Sequence, residues 1–355
     1  MLNRAIAILS FLLATGPLAC ARDIQIGVLG IFHPRQMVLG AAAGEVIIVK
    51  TARETFVLEP GRGKGGAQLR VSTGGIVIEV DGRSVETSEV QAASRRGEAV
   101  AFILAISGKI NRTYRGKLVV KAVDGLLVPV VNMDLETAVA SAVQAESAPD
   151  TPFEALKAQA IVTRSYYTAG RGRHRDFDFC DLTHCQVLQE PPNLQSPAVL
   201  AAQATRGLVI VFQDTPVAAM FTRSCGGRTR TPAELGMPSN GYPYFAVVCE
   251  YCHSDPVRWH RRISAKDVAT LTRSGEAGRL AVGRRLGWDV VPSNNFTSHD
   301  EDGQVVLEGQ GEGHGIGLCQ RGAGAMAKAG ASFREILGHY FPNTTLSVPG
   351  PPHSS

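Results

Sequence analysis

Residues 132–167 read NMDLETAVASAVQAESAPDTPFEALKAQAIVTRSYY, and this stretch decides the fold class. At 100° per residue, Leu135, Val139, Ala142 and Glu146 share one face of a helix expected over 132–146. A second helix is expected over 152–169, with Thr151 as N-cap, Pro152 at the first helical position and Glu154 closing a capping box. Phe153, Leu156, Ala160 and Tyr167 form its apolar stripe. Lys157 and Arg164 sit inside that stripe, two turns apart. Charges on a core-facing stripe are costly unless they are paired or functional. Glu146 ends the first helix, where apolar surroundings and the helix C-terminus both disfavour its ionised form. A carboxyl held protonated near neutral pH suits general acid catalysis. The plain alternative is that Glu146 forms a buried bridge with Lys157 or Arg164.

Working outward, the segments EVIIVK (45–50), TFVLEP (55–60), GIVIEV (75–80) and AVAFILAIS (99–107) are short, β-branched and bounded by turn residues, with GKLVVKAV (116–123) following. They predict a small β-rich module over 22–112, ahead of a catalytic region over 113–342. The glycine-rich run at 61–66 lacks the strand–loop–helix setting and the Lys-Ser/Thr of a phosphate loop, so phosphate binding is not expected there. Downstream, helices over 197–205, 264–272, 321–329 and 332–339 alternate with strands near 208–212 and 217–222. The class expected is α+β, a mixed helix and strand region with a substrate groove. Residues 233–310 read as an insertion or subdomain, and 343–355 as a disordered tail.

The chain has 355 residues, 44% of them hydrophobic, and a net charge of +4. That is enough for a substantial core, and its dispersed Lys and Arg do not form a nucleic-acid footprint. A mildly basic surface suits an anionic polymer. Residues 1–21 read as a signal peptide: Arg4, an apolar run, then Ala19-Cys20-Ala21 before a cleavage point. The expected location is therefore the periplasm or cell envelope, by export. The alternative is a lipoprotein anchored to the membrane at Cys20. Export also allows disulfides among the six remaining cysteines.

His174-x5-Cys180-Asp-Leu-Thr-His184-Cys185 gathers four borderline ligands and is a candidate zinc site, in competition with a Cys180–Cys185 disulfide. Asp178, Asp181 and Glu190 nearby are candidate helpers for Glu146, Asp181 first among them; the plainer reading makes them surface groups or supports of the metal ligands. Cys249-x2-Cys252 reads as a redox pair, half of a second metal site, or part of a disulfide set with Cys225 and Cys319. No thioredoxin-like pattern surrounds the pair, which argues against redox catalysis, and in an oxidising compartment the disulfide set is favoured over a second metal. The loop Gly311-Glu-Gly-His314-Gly-Ile-Gly-Leu-Cys319-Gln320 allows close backbone approach to a ligand. Tyr166, His314 and Gln320 are the candidate substrate-binding residues.

The run from Glu146 through EALKAQAIVTRSYY and FDFCDLTHCQVLQ, then AAQATRGLVIVF, FTRSCGGRTRTPAELG, YPYFAVVCEYC and GEGHGIGLCQRGAGAMAKAGASFREILGHYF, resembles the SpoIID/LytB family over roughly 114–341. The resemblance implies an exported lytic transglycosylase acting on peptidoglycan glycan strands, with Glu146 as the acid and Lys157 and Arg164 as essential cations. It implies zinc in a structural role at His174, Cys180, His184 and Cys185. In relatives a Ser often stands at the position of Cys319, which argues against a nucleophilic role and leaves a pairing with Cys225. The family name also carries a second role, as a wall-binding enhancer of a cell-wall amidase.

Overall fold

The computed structural model describes residues 23–60, 66–239, 241–302 and 304–349. The signal segment with Cys20, residues 61–65 of the glycine-rich run and residues 350–355 lie outside the described residues.

The first half is a sheet. Its strands are β1 (Asp23–Gly27), β2 (Gln36–Ala41), β3 (Ile47–Lys50), β4 (Thr55–Leu58), β5 (Ala67–Ser72), β6 (Gly75–Val80), β7 (Arg83–Thr87), β8 (Glu89–Ala93), β9 (Val100–Ile106), β10 (Ile110–Val123) and β11 (Leu126–Asp134). Alternation builds it: β9 and β11 bury every second side chain, the period of a strand packed on one face. The main path runs β1-β11-β10-β9-β2-β5-β6-β7, with β8 on β10, β3 on β8 and β4 on β3. β10 curls the sheet, because its residues 110–116 pair with β9 whereas 117–123 pair with β11. The change of partner falls at Gly116, where a Cβ would sit 2.6 Å from the Asn132 carbonyl oxygen.

β11 runs directly into α1 (Leu135–Glu146), followed by α2 (Phe153–Ala169), a short β12 (Phe179–Cys180) beside β1, and α3 (Pro197–Ala204). The helix expected from residue 132 therefore starts at 135, since Asn132, Met133 and Asp134 still pair with β1. Asp134 caps it by accepting the Thr137 N–H at 3.0 Å. A boundary at 112/113 would fall inside β10. The structure corrects it: one hydrophobic core joins the sheet to Val139, Leu156, Tyr167 and Val199 of the three helices. Strand periodicity shows which face is buried, not which partner covers it.

α2 is buried nearly all round. Leu156 and Ala160 face the sheet core, while Ala158, Ile161 and Val162 enter a second core. The single stripe expected for this helix is thus too narrow, and Phe153 at its start is exposed. The predicted capping box is also absent. Thr151 bonds back to Ala148, and Glu154 instead accepts the Phe333 N–H.

The second core collects β13 (Val209–Phe212), β14 (Thr215–Pro216), β15 (Phe221–Thr222) and, after α4 (Glu250–Ser254), the C-terminal elements. Between them β16 (Arg258–Ile263), α5 (Ala265–Leu286, broken at Gly275), β17 (Phe296–Glu301) and β18 (Gln304–Gln310) make a three-stranded sheet with its own small core around Trp259 and Leu307. That layer lies within residues 258–310. β19 (Leu318–Cys319), α6 (Gln320–Lys328), α7 (Phe333–Tyr340) and β20 (Thr345–Ser347) close the chain. β20 pairs with β13, so the tail expected to be disordered from 343 is a strand through 347, held by an edge that would otherwise be open. The class is α+β, as the periodicity predicts.

Candidate functional site

Glu146 is the last residue of α1 and is half-buried. Its Oε1 accepts the Val187 N–H at 3.0 Å. Burial pushes its carboxyl above the ordinary value of 4.5, against the opposing pull of that hydrogen bond and of the Arg223 guanidinium. A cleft of about 690 Å³ opens beside it, lined by Glu146, Gln159, Arg223, Tyr251, Gln320 and Arg321, with small residues such as Ala155, Ala323 and Gly324 between them.

Further lining comes from Arg223 just after β15, from Tyr251 of α4 and from α6. The Gln320 amide donates to the Glu146 carbonyl oxygen at 3.0 Å and to Gln159 Oε1 at 3.4 Å, fixing the end of α1 against α2. Arg223 pairs with Glu312 at 3.2 Å, and its side chain is mostly exposed. Arg321 donates to Asp255 at 2.9 Å and lies over the Tyr251 ring. Sequence reasoning missed Arg223, Tyr251 and Arg321 as cleft residues. Their signal was present in the FTRSCGG, CEYC and LCQRG tracts, but only the fold brings those tracts together.

Of the residues expected at the site, Glu146 and Gln320 line the cleft, and Lys157, Arg164, Tyr166 and His314 do not. Arg164 is 1% exposed, with a two-pronged bond to Glu136 at 2.8 and 2.7 Å and further bonds to the carbonyls of Leu208 and Ala202. All of its donor directions point into protein, so it pins α2 to α1 and to the segment after α3. Lys157 pairs with Glu154 at 2.6 Å and lies over the rings of Phe153 and Phe333. Glu146 bridges to neither cation, so the plain alternative of a buried ion pair is also corrected. Each cation has a nearer carboxylate, one turn or one helix away. Tyr166 packs on Phe179 within the sheet core. His314 accepts the Ile316 N–H on Nδ1 at 3.0 Å. Burial pushes its imidazole down to about 4, with Glu276 and Arg279 as its charged neighbours rather than Glu146.

The three candidate helper carboxylates also stand away from the cleft. Asp178 accepts from Gln25 N–H, Glu190 from Thr113 N–H, and buried Asp181 from Leu29 N–H with Arg112 at 3.7 Å. They tie the 174–190 loop to the sheet.

That loop carries the His–Cys cluster. Ligand atoms of His174, Cys180, His184 and Cys185 all lie within 4.8 Å of one another. His174 Nε2 is 3.3 Å from Cys185 Sγ, and His184 Nδ1 is 3.8 and 3.6 Å from the sulfurs of Cys180 and Cys185. Two imidazoles and two thiols converging on one point fit a tetrahedral zinc ion. Val187, two residues on, is the residue that bonds Glu146. All six cysteines among the described residues are free thiols, so neither the Cys180–Cys185 bridge nor the favoured disulfide set of Cys225, Cys249, Cys252 and Cys319 is present.

Among the described residues no helix is long and apolar enough to cross a membrane. A family model described as stage II sporulation protein (SpoIID) matches residues 124–212, which include α1, α2 and the His–Cys loop. An uncharacterised protein of Brachyspira hyodysenteriae is 27% identical over 262 residues, spanning 64% of this chain and 70% of that one. Stage II sporulation protein D of Bacillus amyloliquefaciens is 23% identical over 269 residues, spanning 61% and 75%. The amidase enhancer of Bacillus subtilis is 42% identical over 62 residues, a match to 18% of this chain and 9% of that protein. The family model on the helix pair, with stage II sporulation protein D relatives aligned over 61% of the chain and the shorter match to the amidase enhancer, supports assignment to the SpoIID/LytB family.

Proposed function

We propose that the cleft cuts peptidoglycan glycan strands by lytic transglycosylation, with Glu146 as the single acid–base group. The observation that carries this reading is a carboxyl held above its ordinary pKa on the wall of a cleft large enough for sugar rings. Protonated Glu146 donates to the glycosidic oxygen between MurNAc and GlcNAc, and that bond breaks through an oxocarbenium-like state. The resulting carboxylate takes the proton of the C6 hydroxyl, whose oxygen bonds C1 of the same MurNAc. The products are a 1,6-anhydro end and a free GlcNAc hydroxyl, and Glu146 is protonated again.

Hydrolytic glycosidases use two carboxylates, roughly 5–9.5 Å apart according to the stereochemical course. Among the described residues lining this cleft the other carboxylate is Asp150, whose side chain is 80% exposed and stands by Lys328. Internal attack needs no second carboxylate, which favours the transglycosylase over a hydrolase. Arg223 and Arg321 suit the free lactyl carboxylate of MurNAc in strands stripped of peptide. Lys157 and Arg164 act as positioning residues. Zinc held by His174, Cys180, His184 and Cys185 would supply structural order to the loop that presents Val187 to Glu146. The protein is exported to the cell envelope in this reading.

The match to the amidase enhancer favours a second reading, a wall-binding partner of a cell-wall amidase that does not itself cut. Mass spectrometry of denuded glycan strands, incubated with the protein and with Glu146→Gln, separates the two. 1,6-Anhydro ends from the parent alone are the expected result. Reducing ends lost in the variant would mean hydrolysis. Binding without any product would transfer the assignment to the enhancer.

A further inference from the structure

We propose that Cys225, Cys249, Cys252 and Cys319 form a second, structural zinc site, buried behind the wall of the cleft that faces Glu146. This assignment goes beyond the glycan-cutting reading and does not depend on it.

The four residues come from three segments far apart in sequence: the turn after β15, the Cys-x2-Cys turn at the start of α4, and the end of β19. Their side chains are 3%, 2%, 0% and 0% exposed. All four sulfurs lie within 4.8 Å of one another, and Cys252 Sγ is 3.5 Å from Cys319 Sγ. A disulfide needs sulfurs at about 2.05 Å and would sort the four into two pairs. One common cluster is instead what a single ion requires, since zinc–sulfur bonds of about 2.3 Å put the corners of a tetrahedron about 3.8 Å apart. An iron–sulfur cubane interposes its own irons and sulfides and needs its thiolates spread wider.

The surroundings fit thiolates. Cys225 N–H donates to Cys319 Sγ at 3.4 Å, and the hydroxyls of Ser224 and Tyr340 lie 3.6 and 3.3 Å from the sulfurs of Cys252 and Cys249. Such bonds orient metal ligands and spread their charge. The Arg321 guanidinium is close enough to Cys252 to interact with its charge. At Gly322 a Cβ would stand 2.5 Å from Cys249 Sγ, so the helix after Cys319 reaches the cluster only because that residue is glycine. Each ligand thiol gives up its proton as the ion binds, so loading releases protons and strengthens as pH rises.

Each ligand adjoins a cleft residue. Cys225 is two residues from Arg223, Cys252 follows Tyr251, and Cys319 precedes Gln320. The ion thereby fastens into one wall three tracts that the β15–β19 ladder and the Arg228–Val248 bridge bring side by side.

The test measures zinc in the full chain by elemental mass spectrometry, for the parent and for a variant carrying His174→Ala, Cys180→Ser, His184→Ala and Cys185→Ser. The expected result is one zinc per chain retained in that variant, lost on adding Cys225→Ser and Cys319→Ser. Substitution of the retained ion by cobalt(II) should give the strong visible absorption of tetrahedral thiolate ligation. Because the combined variants can misfold, the parent is also alkylated without reductant before and after denaturation with a chelator. All four cysteines should be protected before and fully alkylated after. Peptides joined by a disulfide between any two of the four, no zinc beyond that of the His–Cys loop, or iron with sulfide in place of zinc would each overturn the proposal.

Discussion

His174, Cys180, His184 and Cys185 come from one short loop, and three of the four keep solvent contact, with His184 exposed. Cys225, Cys249, Cys252 and Cys319 are collected from three distant tracts and are all buried. Both clusters adjoin residues that line one cleft. The first is joined to Glu146 through Val187, the second to Gln320 and Arg223 through its neighbours in sequence. A local cluster orders a loop that the sheet already holds by Asp178, Asp181 and Glu190. A long-range cluster closes large loops, which is where a cross-link has most entropy to remove. The local one should therefore tune the site, and the distant one should decide whether its wall exists.

Breaking the distant cluster is accordingly the largest effect expected. Cys225→Ser with Cys319→Ser should abolish the cooperative unfolding of the C-terminal core, given that structural zinc contributes about 10–16 kcal/mol in small domains that depend on it. His174→Ala with His184→Ala should leave that transition in place and lower cleavage about 10–100-fold, the range for losing an outer support of a site. Calorimetry beside glycan-cleavage assays reads both. If the two pairs of substitutions destabilise equally, the contrast between local and long-range clusters fails.

Glu146→Gln comes next, and it asks whether both walls serve one carboxyl. Cleavage should fall about 10²–10⁴-fold, the usual contribution of a general acid–base group. Stability should move the other way. Folded Glu146 holds its proton more tightly than unfolded Glu146. That contribution is fully present below the ordinary value of 4.5 and is lost as pH rises through the raised folded value. Gln is neutral throughout, so the variant should gain on the parent as pH climbs through this window and match it below. Denaturant melts at several pH values would show a variant weaker at neutral pH if Glu146 were a structural group instead.

Arg164→Met tests the wall behind Glu146 without touching the cleft. Removing one partner of a buried pair costs about 3–5 kcal/mol, because Glu136 keeps its charge. Lys157→Met should cost about 1 kcal/mol or less, its pair with Glu154 being partly solvated. A kcat loss in Arg164→Met that is restored with stability in Arg164→Met/Glu136→Gln would fix it as a positioning residue. A loss that persists in the stable double variant would return it to the chemistry.

Why one cluster was legible in the sequence and the other was not follows from the same distances. The His–Cys loop and the helix register around Glu146 depend on residues within a few turns, so spacing alone located them. Lys157 and Arg164 were found on the right helix, yet their partners Glu154 and Glu136 decide what they do, and a wheel drawn for one helix cannot show a carboxylate on the next. Spacing could not choose between disulfides and a metal for Cys225, Cys249, Cys252 and Cys319, because the choice rests on four sulfurs meeting at one point. The 112/113 boundary failed for a similar reason. Strand patterns end at turns, while β10 carries the sheet through that point by changing partners at Gly116.

The smallest expected effect is also the most specific to the cleft. Glu146 is faced by the Val187 N–H from the His–Cys loop, by Tyr167 from α2, and by Arg223 from the wall that the cysteines hold. Of these, Arg223 supplies the positive charge, which pulls the Glu146 pKa down against burial. Arg223→Gln removes that pull, so the carboxyl should stay protonated to higher pH. Since the acid must carry its proton to cleave, the alkaline limb of the kcat/KM profile should move upward in the variant. The shift should shrink with added salt, because the Arg223 side chain is 67% exposed and its field is screened. A limb that moves down, or one that ignores both the substitution and the salt, would mean that the two walls do not share a proton at Glu146.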